Sequence, residues 1–352
     1  MTKKTISIGN DKIGEGQPPY IIAEMSGNHN QSLDRALAIV EAAAEAGAQA
    51  LKLQTYTADT MTLDISEGEF LIKDEDNLWK GESLYGLYQK AHTPWEWHKT
   101  IFEKCREHGI TVFSTPFDFS AVDFLEELGV AAYKIASFEN TDLSLIQYVA
   151  RTGKPLIMST GMATIAELGE AVQTAREAGC ADIILLKCTS SYPSTPEDSN
   201  LLTIPHMKQL FDVQVGLSDH TLGIGVAIGA AALGATVIEK HFTLNRSEGG
   251  VDSAFSLEPA ELKALVTESE RAWQALGHIQ YGPSEKERQS LKFRRSIYIV
   301  EDVKKGEHLS EKNLRCIRPG LGLPPKYYDM LLGKTVNCDL KKGTPMSWDL
   351  IG

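Results

Sequence analysis

The sequence predicts an α/β protein, a (β/α)8 TIM barrel followed by a small C-terminal domain, and three observations carry that expectation. Between Tyr20 and Leu276, eight short apolar runs alternate with stretches that are apolar at helical spacing, the pattern of parallel βαβ units. Eight such units are what a closed barrel needs. No GxGxxG follows the first run and no glycine cluster makes a P-loop, so the competing open doubly wound sheet lacks its phosphate-binding turn. The charge also changes sign along the chain. Residues 1–285 hold 21 basic and 39 acidic side chains, a net of −18, whereas residues 286–352 hold 14 and 8, a net of +6. The step puts a boundary near Gly282 and Pro283, with residues 1–282 as the barrel, 283–295 as a charged linker and 296–352 as the tail domain.

The expected strands are 20–24, 50–54, 110–114, 132–136, 156–159, 183–188, 213–217 and 236–240. Between them lie SLDRALAIVEAAAEAG, SAVDFLEELG, TIAELGEAVQTAREAG and GIGVAIGAAALG, each helical in period and closed by a glycine suited to a C-cap. Residues 57–97 are too many for a simple βα loop. Their aromatic residues Trp79, Tyr85, Tyr88, Trp95 and Trp97 argue for order, as an extra helix capping the barrel or as a substrate lid. In the tail, two apolar strands each run into a Lys-Lys-Gly turn, at 304–306 and 341–343. A domain of about 60 residues is marginal alone, so it is expected to rest on the barrel or on a second subunit.

Composition narrows the function. A hydrophobic content of 42% with 23% charged residues fits a globular protein, and no run approaches the ~18 apolar residues of a membrane span. The first residues carry two lysines with no apolar run behind them, which does not make a signal peptide. Five scattered cysteines form neither a disulfide framework nor a zinc cage, and a cytoplasmic protein is expected. A net charge of −12 repels nucleic acid and anionic lipid but leaves room for a small anionic ligand.

In a barrel of this kind the chemistry sits at the C-terminal ends of the strands. Those ends carry Glu24; Lys52 and Gln54; Thr115; Lys134 and Ser137; Ser159; Lys187, Ser190 and Tyr192; Ser218 and His220; and Glu239, Lys240 and His241. Lys52 and Lys134, with Lys187 as a third, would surround one cavity with cations and nearby hydroxyls, which suits a phosphate or carboxylate. The alternative is that single lysines face solvent. His220 and His241 end neighbouring strands beside Glu24, and two imidazoles with oxygen ligands suit a divalent ion such as Mn²⁺, with Mg²⁺ or Co²⁺ as other candidates. Strand alternation lets only one of Glu239 and Lys240 share the lumen with His241. Cys188 has no adjacent histidine in sequence and reads as a small buried thiol.

Read in order, IIAEMSGNHN, LKLQTY, FSTPFD, YKIAS, MSTGM, LLKCTSSYP, GLSDHT and IEKHFT resemble the sialic acid synthase family over nearly the whole chain. The resemblance implies a (β/α)8 barrel with a C-terminal antifreeze-like (SAF) domain, and an enzyme that condenses phosphoenolpyruvate with an amino-sugar aldehyde. The insertion, the run CTSSYP and HFTLNRSEGGVDSAFSLEP are similar to the pseudaminic acid branch. Sialic acid synthases usually carry Asn at the position of Ser190, so the sequence favours a bis-acetamido 6-deoxy sugar over N-acetylmannosamine, with legionaminic and N-acetylneuraminic acid synthesis as the alternatives. The resemblance implies that Lys52, Thr115, Lys134, Ser137, Ser159 and Ser218 hold phosphoenolpyruvate and that His220 and His241 ligate the metal. It gives Glu24 the attacking water, puts Tyr192, Asp252 and Phe293 along the sugar side, and has Arg318 arrive from a partner subunit in a homodimer with exchanged tails. Gln54, Ser190 and Glu239 complete the expected substrate contacts. A non-catalytic sugar-binding protein is the competing class, but it has no use for Glu24, Lys52, Lys134, His220 and His241 together.

Overall fold

A computed structural model describes residues 5–74 and 78–352. The remaining positions, which include the lysine-bearing start of the chain and three residues of the 57–97 insertion, lie outside the described residues. The chain divides into two compact units, Met1–Gly277 and His278–Gly352.

The first unit opens with a hairpin that the strand count above lacks. β1 (Thr5–Ile8) and β2 (Asp11–Gly14) pair antiparallel around Gly9 and Asn10, with Gly9 in the left-handed region at φ 58°. Thr111, at the start of a barrel strand, donates its hydroxyl to Asp11 Oδ2 at 3.2 Å, which ties the hairpin to the N-terminal end of the barrel.

Eight parallel strands then close the barrel: β3 (Tyr20–Glu24), β4 (Ala50–Thr55), β5 (Thr111–Pro116), β6 (Tyr133–Ile135), β7 (Leu156–Ser159), β8 (Ile183–Cys188), β9 (Gln214–Asp219) and β10 (Val237–His241), with β10 back beside β3. The α/β barrel expectation is borne out. The largest boundary differences are at β5 and β9, where the regular strands run on through Thr115 and Pro116 and through Ser218 and Asp219. The outer helices start on local caps. Ser32 accepts from Arg35 N at the head of α1 (Leu33–Ala46), and Gly47 closes that helix at φ 91°. Among the described residues no helix is long and apolar enough to cross a membrane.

Register decides what meets at the rim. Glu24 lies opposite both His241 and Lys52, and Ser218 lies opposite both Cys188 and Glu239. Five neighbouring strands therefore present their functional residues at two adjacent levels of the rim, with β10 contributing to both through Glu239 and His241.

The insertion contains α2 (Ala58–Met61), a short strap pinned where Leu71 bridges Ser83, then α3 (Leu84–Ala91) and α4 (Trp95–Glu107). In the strap, Ile72 N donates to Glu82 O at 3.0 Å and Gly81 N to Ile72 O at 2.8 Å. Three side chains fasten the insertion to the barrel: Trp79 Nε1 donates to Val251 O (3.1 Å), Trp95 Nε1 to Tyr56 O (3.2 Å), and His98 Nε2 meets Thr55 Oγ1 (2.8 Å). Burial pushes the His98 imidazole down to about 4, so this bond is made by a neutral ring.

The second unit has its own core of Ile297, Ile299, Val303, Leu309, Leu314 and Leu340 beneath the pair β11 (Ser296–Ile299) and β12 (Leu314–Ile317). Its two Lys-Lys-Gly turns prove to be a reciprocal pair. Lys304 Nζ bonds Asp339 Oδ2 and Lys341 Nζ bonds Asp302 Oδ2, each at 2.8 Å, while each carboxylate also accepts from the backbone of the other turn. Residues 288–293, within the stretch read as linker, form a short 3-10 helix of this unit.

Candidate active site

Strand alternation sorts the rim residues. Glu24 and Lys52 form a buried ion pair on adjacent strands. Glu239 lies 3.8 Å from Lys52 and 3.6 Å from Lys134, and Ser218 Oγ donates to it at 3.1 Å. Lys134 Nζ donates to Ser159 Oγ at 2.7 Å, Lys52 Nζ to Thr115 Oγ1 at 3.3 Å, and Gly161 N to Ser137 Oγ at 3.1 Å. The expected cations and hydroxyls thus share one lumen, with one exception. Lys187, expected as a third cation, turns away, because alternation gives the lumen position on β8 to Cys188. Its ammonium instead reaches Cys188 O (2.9 Å) and Thr189 Oγ1 (3.1 Å).

The choice between Glu239 and Lys240 is settled in the same way. Glu239 faces the lumen, while Lys240 pairs behind it with Asp219 Oδ2 at 3.0 Å and is fully buried.

These charges tune one another. Burial raises the Glu24 carboxyl and Lys52 pulls it back only in part, leaving it at about 7. Burial also works against ionisation of Glu239, but Lys134 and Lys52 outweigh it and hold that carboxyl below its usual range. Desolvation pushes the Lys134 ammonium down, whereas Lys52, facing both Glu239 and Glu24, is held up in spite of its burial. Two cations, one firm anion and one carboxyl that can gain or lose a proton near neutrality share this lumen.

Above them stand the imidazoles. His220 and His241 are 5.4 Å apart by ring centroid, with Tyr192 tilted against His220 at 4.4 Å and Trp79 of the insertion 6.2 Å from Tyr192. His220 Nδ1 is fixed by Thr189 O at 2.9 Å. His241 Nδ1 is buried without a hydrogen-bond partner, 3.7 Å from Asp252 Oδ2. Burial and the neighbouring cations hold the His241 ring neutral, the form with a lone pair to offer. Asp252 is bonded by Ser26, which adopts φ 46°, an uncommon backbone for serine directly after a functional strand end.

Three further groups belong to this cluster, of which the sequence reads Cys188 only as a small buried thiol. Cys188 Sγ lies 3.9 Å from Ser190 Oγ; burial works against its thiolate, but His220, Ser137 and Lys134 outweigh burial and bring the thiol to about 7. Glu139 ends the 3-10 turn Ser137–Glu139, and burial pushes it up to about 7. Its Oε2 is buried without a partner. Asp219 braces Lys240. Of the three, Glu139 is the one in a βα loop, after β6, and the strand-end reading does not name it.

The cavity over this cluster measures about 470 Å³ and is lined by Gln54, Glu139, Ser190, Tyr192, His241 and Asp252 together with apolar residues of the insertion. A second cleft of similar size shares Trp79, Leu87 and Val251 but holds none of the strand-end groups. Of the expected site residues, Phe293 and Arg318 belong to the second unit, where both are exposed.

A closed (β/α)8 barrel whose strand ends gather lysines, carboxylates, hydroxyls and two imidazoles around one cavity defines a barrel enzyme of small, anionic substrates. The family models identify it further: residues 39–281 match the NeuB family and residues 294–352 the SAF domain, and the chain belongs to the NeuB family. It is 46% identical to a pseudaminic acid synthase of Helicobacter pylori, over 95% of this chain and 98% of that one. Identity to an N,N'-diacetyllegionaminic acid synthase of Campylobacter jejuni is 37%, over 92% and 97%. Among solved structures, the N-acetylneuraminic acid synthetase of Leptospira borgpetersenii in complex with citrate superposes with a TM-score of 0.74 at 34% identity, covering 84% of this chain and 97% of that one. The family-level resemblance read from the eight motifs is borne out.

Proposed function

We propose that the chain is a pseudaminic acid synthase, which condenses phosphoenolpyruvate with 2,4-diacetamido-2,4,6-trideoxyaltrose to a nine-carbon 2-keto sugar acid and releases phosphate. The observation that carries this reading is the lumen itself, where Lys52 and Lys134 stand beside an ionisable Glu24 and below two imidazoles. The 46% identity to a pseudaminic acid synthase, against 37% to a legionaminic acid synthase, favours the acceptor named.

Lys52, Lys134, Thr115, Ser137, Ser159 and Ser218 would hold the phosphate and carboxylate of phosphoenolpyruvate, with Gln54, Ser190, Glu239, Tyr192 and Asp252 along the sugar. C3 of phosphoenolpyruvate attacks the aldehyde carbon, forming the new carbon–carbon bond while the aldehyde oxygen takes up a proton. C2 becomes electron-poor, and water adds there as Glu24 accepts its proton. The tetrahedral product then breaks its C2–O bond and phosphate leaves as the ketone forms, its charge met by Lys52 and Lys134.

The residues present fit a divalent ion. The orphaned, neutral His241 Nδ1, the adjacent His220 ring and the carboxylate of Asp252 suit Mn²⁺ or a similar cation. Among the described residues no group of three or more His, Cys, Asp or Glu side chains is arranged to hold an ion unaided, so substrate and water oxygens would complete its shell. When bound, such an ion polarises the aldehyde oxygen.

A homodimer in the cytoplasm completes the reading. Phe138, Met162, Ile165 and Leu222 expose large apolar side chains just beyond β6, β7 and β9, a rim suited to cover by a second chain. The test is phosphate release from phosphoenolpyruvate. Release that requires both the sugar and a divalent cation, and is faster with the trideoxyaltrose than with the acceptors for legionaminic or N-acetylneuraminic acid, supports the proposal. No release with any of the three leaves only a binding protein.

A further inference from the structure

The cavity has two chemically unlike sides. Strand ends and their loops supply Gln54, Tyr192, His241 and Asp252, whereas the insertion supplies Met61, Ile72 and Leu84 beside Trp79, Leu87, Tyr88 and Ala91. Met61, Ile72 and Leu84 are apolar, each is only half-buried, and each lines the same cavity. Their positions are built rather than incidental. Met61 ends α2 behind a Thr57/Thr60 capping box, Ile72 is held on both backbone sides by the strap, and Leu84 opens α3 directly after its Ser83 cap. A fully hydroxylated sugar gains little from such a wall, because none of the three side chains offers a donor or acceptor to a hydroxyl stripped of water.

Reaction geometry says which end of the acceptor reaches it. The aldehyde carbon must lie by Glu24 and the imidazoles, where the bond forms, so the opposite end of the six-carbon chain points away from the lumen. We infer that Met61, Ile72 and Leu84 form an apolar subsite for the C6 methyl of the acceptor and make the enzyme selective for 6-deoxy over 6-hydroxy sugars. The inference rests on the synthase reading above and adds the part of the chain that reads the sugar's far end. A hydrophobic pocket rejects an added hydroxyl only moderately, so the expected preference is about 10- to 200-fold in kcat/KM.

The test compares kcat/KM for 2,4-diacetamido-2,4,6-trideoxyaltrose and its 6-hydroxy counterpart, at saturating phosphoenolpyruvate and Mn²⁺, in the full-length protein and in Ile72→Thr and Met61→Gln. Met61→Gln nearly conserves volume, Ile72→Thr is shorter by one carbon, and both add a hydrogen-bonding group. Each is expected to narrow the preference by about tenfold with KM for phosphoenolpyruvate unchanged, the latter showing that the lumen is intact. If one variant fails to fold, the other decides. Variants that keep the wild-type ratio with a normal KM for phosphoenolpyruvate overturn the subsite and leave the synthase reading in place. A wild-type protein that turns over neither sugar overturns that reading, and the subsite with it.

Discussion

Lys240 donates to Asp219 Oδ2 at 3.0 Å across β10 and β9, and neither side chain meets solvent. The same ammonium donates to Thr221 O at 2.5 Å, while Asp219 Oδ1 accepts from Thr221 N at 2.9 Å. Each partner is the chain neighbour of one imidazole, Asp219 of His220 and Lys240 of His241, so the pair braces the two strand ends that carry them. Removing one charge strands the other in the interior. Lys240→Met should lower the unfolding free energy by about 3–5 kcal/mol, measured by urea denaturation. A change within experimental error would show that the pair does not brace the rim.

Glu24 presents a carboxyl at about 7 beside Lys52, one of the cations proposed to hold phosphoenolpyruvate. A base acts only when deprotonated, so kcat/KM should rise with pH through about 7 and then level off. Glu24→Gln keeps the shape but accepts no proton. It should lower kcat by about 100- to 10,000-fold, leave the KM for phosphoenolpyruvate much less changed, and abolish the acidic limb of the profile. Steady-state phosphate release between pH 5.5 and 9 reads all three, and equal losses in kcat and in phosphoenolpyruvate binding would remove Glu24 from the role of base.

The barrel was legible because its strands are apolar runs of ordinary length separated by glycine-capped helices, and the period of each signal is local. The hairpin of β1 and β2 was equally local, with Ile6, Ile8 and Ile13 alternating around Gly9 and Asn10. Each of its strands is only four residues long, at the lower limit of what alternation marks in a sequence. Lys187 shows what a strand-end census cannot resolve. Which side chain faces inward depends on the phase of alternation, and on β8 that phase belongs to Cys188. The wall of Met61, Ile72 and Leu84 was illegible for another reason. Three residues from three separate elements meet at one cavity only after the insertion folds back, and no spacing in the sequence records that.

Glu139 gives a stability test independent of turnover. Burial raises its folded carboxyl to about 7 from the ordinary 4.5. Between these values the folded protein holds a proton that the unfolded chain has released, so stability falls as pH rises through this window. The slope from one such group approaches about 1.4 kcal/mol per pH unit. Glu139→Gln cannot titrate, so it should flatten the decline in thermal midpoint between pH 5 and 7 relative to wild type. Parallel curves for the two proteins would show that Glu139 keeps an ordinary pKa.

Gly161 sits where two hydroxyls converge. A Cβ there would lie 2.2 Å from Ser190 Oγ and 2.7 Å from Ser137 Oγ, closer than atoms pack. Gly161→Ala must therefore displace both serines, one from the proposed phosphoenolpyruvate site and one from the sugar side. Overpacking of this kind costs about 1–3 kcal/mol. The KM values for both substrates should rise together, by about tenfold. A rise confined to the sugar would mean that Ser137 does not hold phosphoenolpyruvate.

The exchanged-tail homodimer can be tested without a structure of the assembly. Glu24 lies in the lumen of the first unit and Arg318 is exposed on the second. If Arg318 completes the site of the partner chain, Glu24→Ala and Arg318→Ala chains should each be inactive alone. In a mixed dimer one site then collects both defects while the other is intact. Random pairing of equal amounts puts half of the chains' dimers in the mixed form, so co-refolded or co-expressed material should recover about a quarter of wild-type turnover. If both residues serve the same chain, every site in the mixture keeps one defect and nothing is recovered. The opposite net charges of the two sequence segments, −18 for residues 1–285 and +6 for 286–352, add a second readout. Exchange that uses this match should weaken as salt screens it, so in high salt the dimer should dissociate already at higher protein concentration.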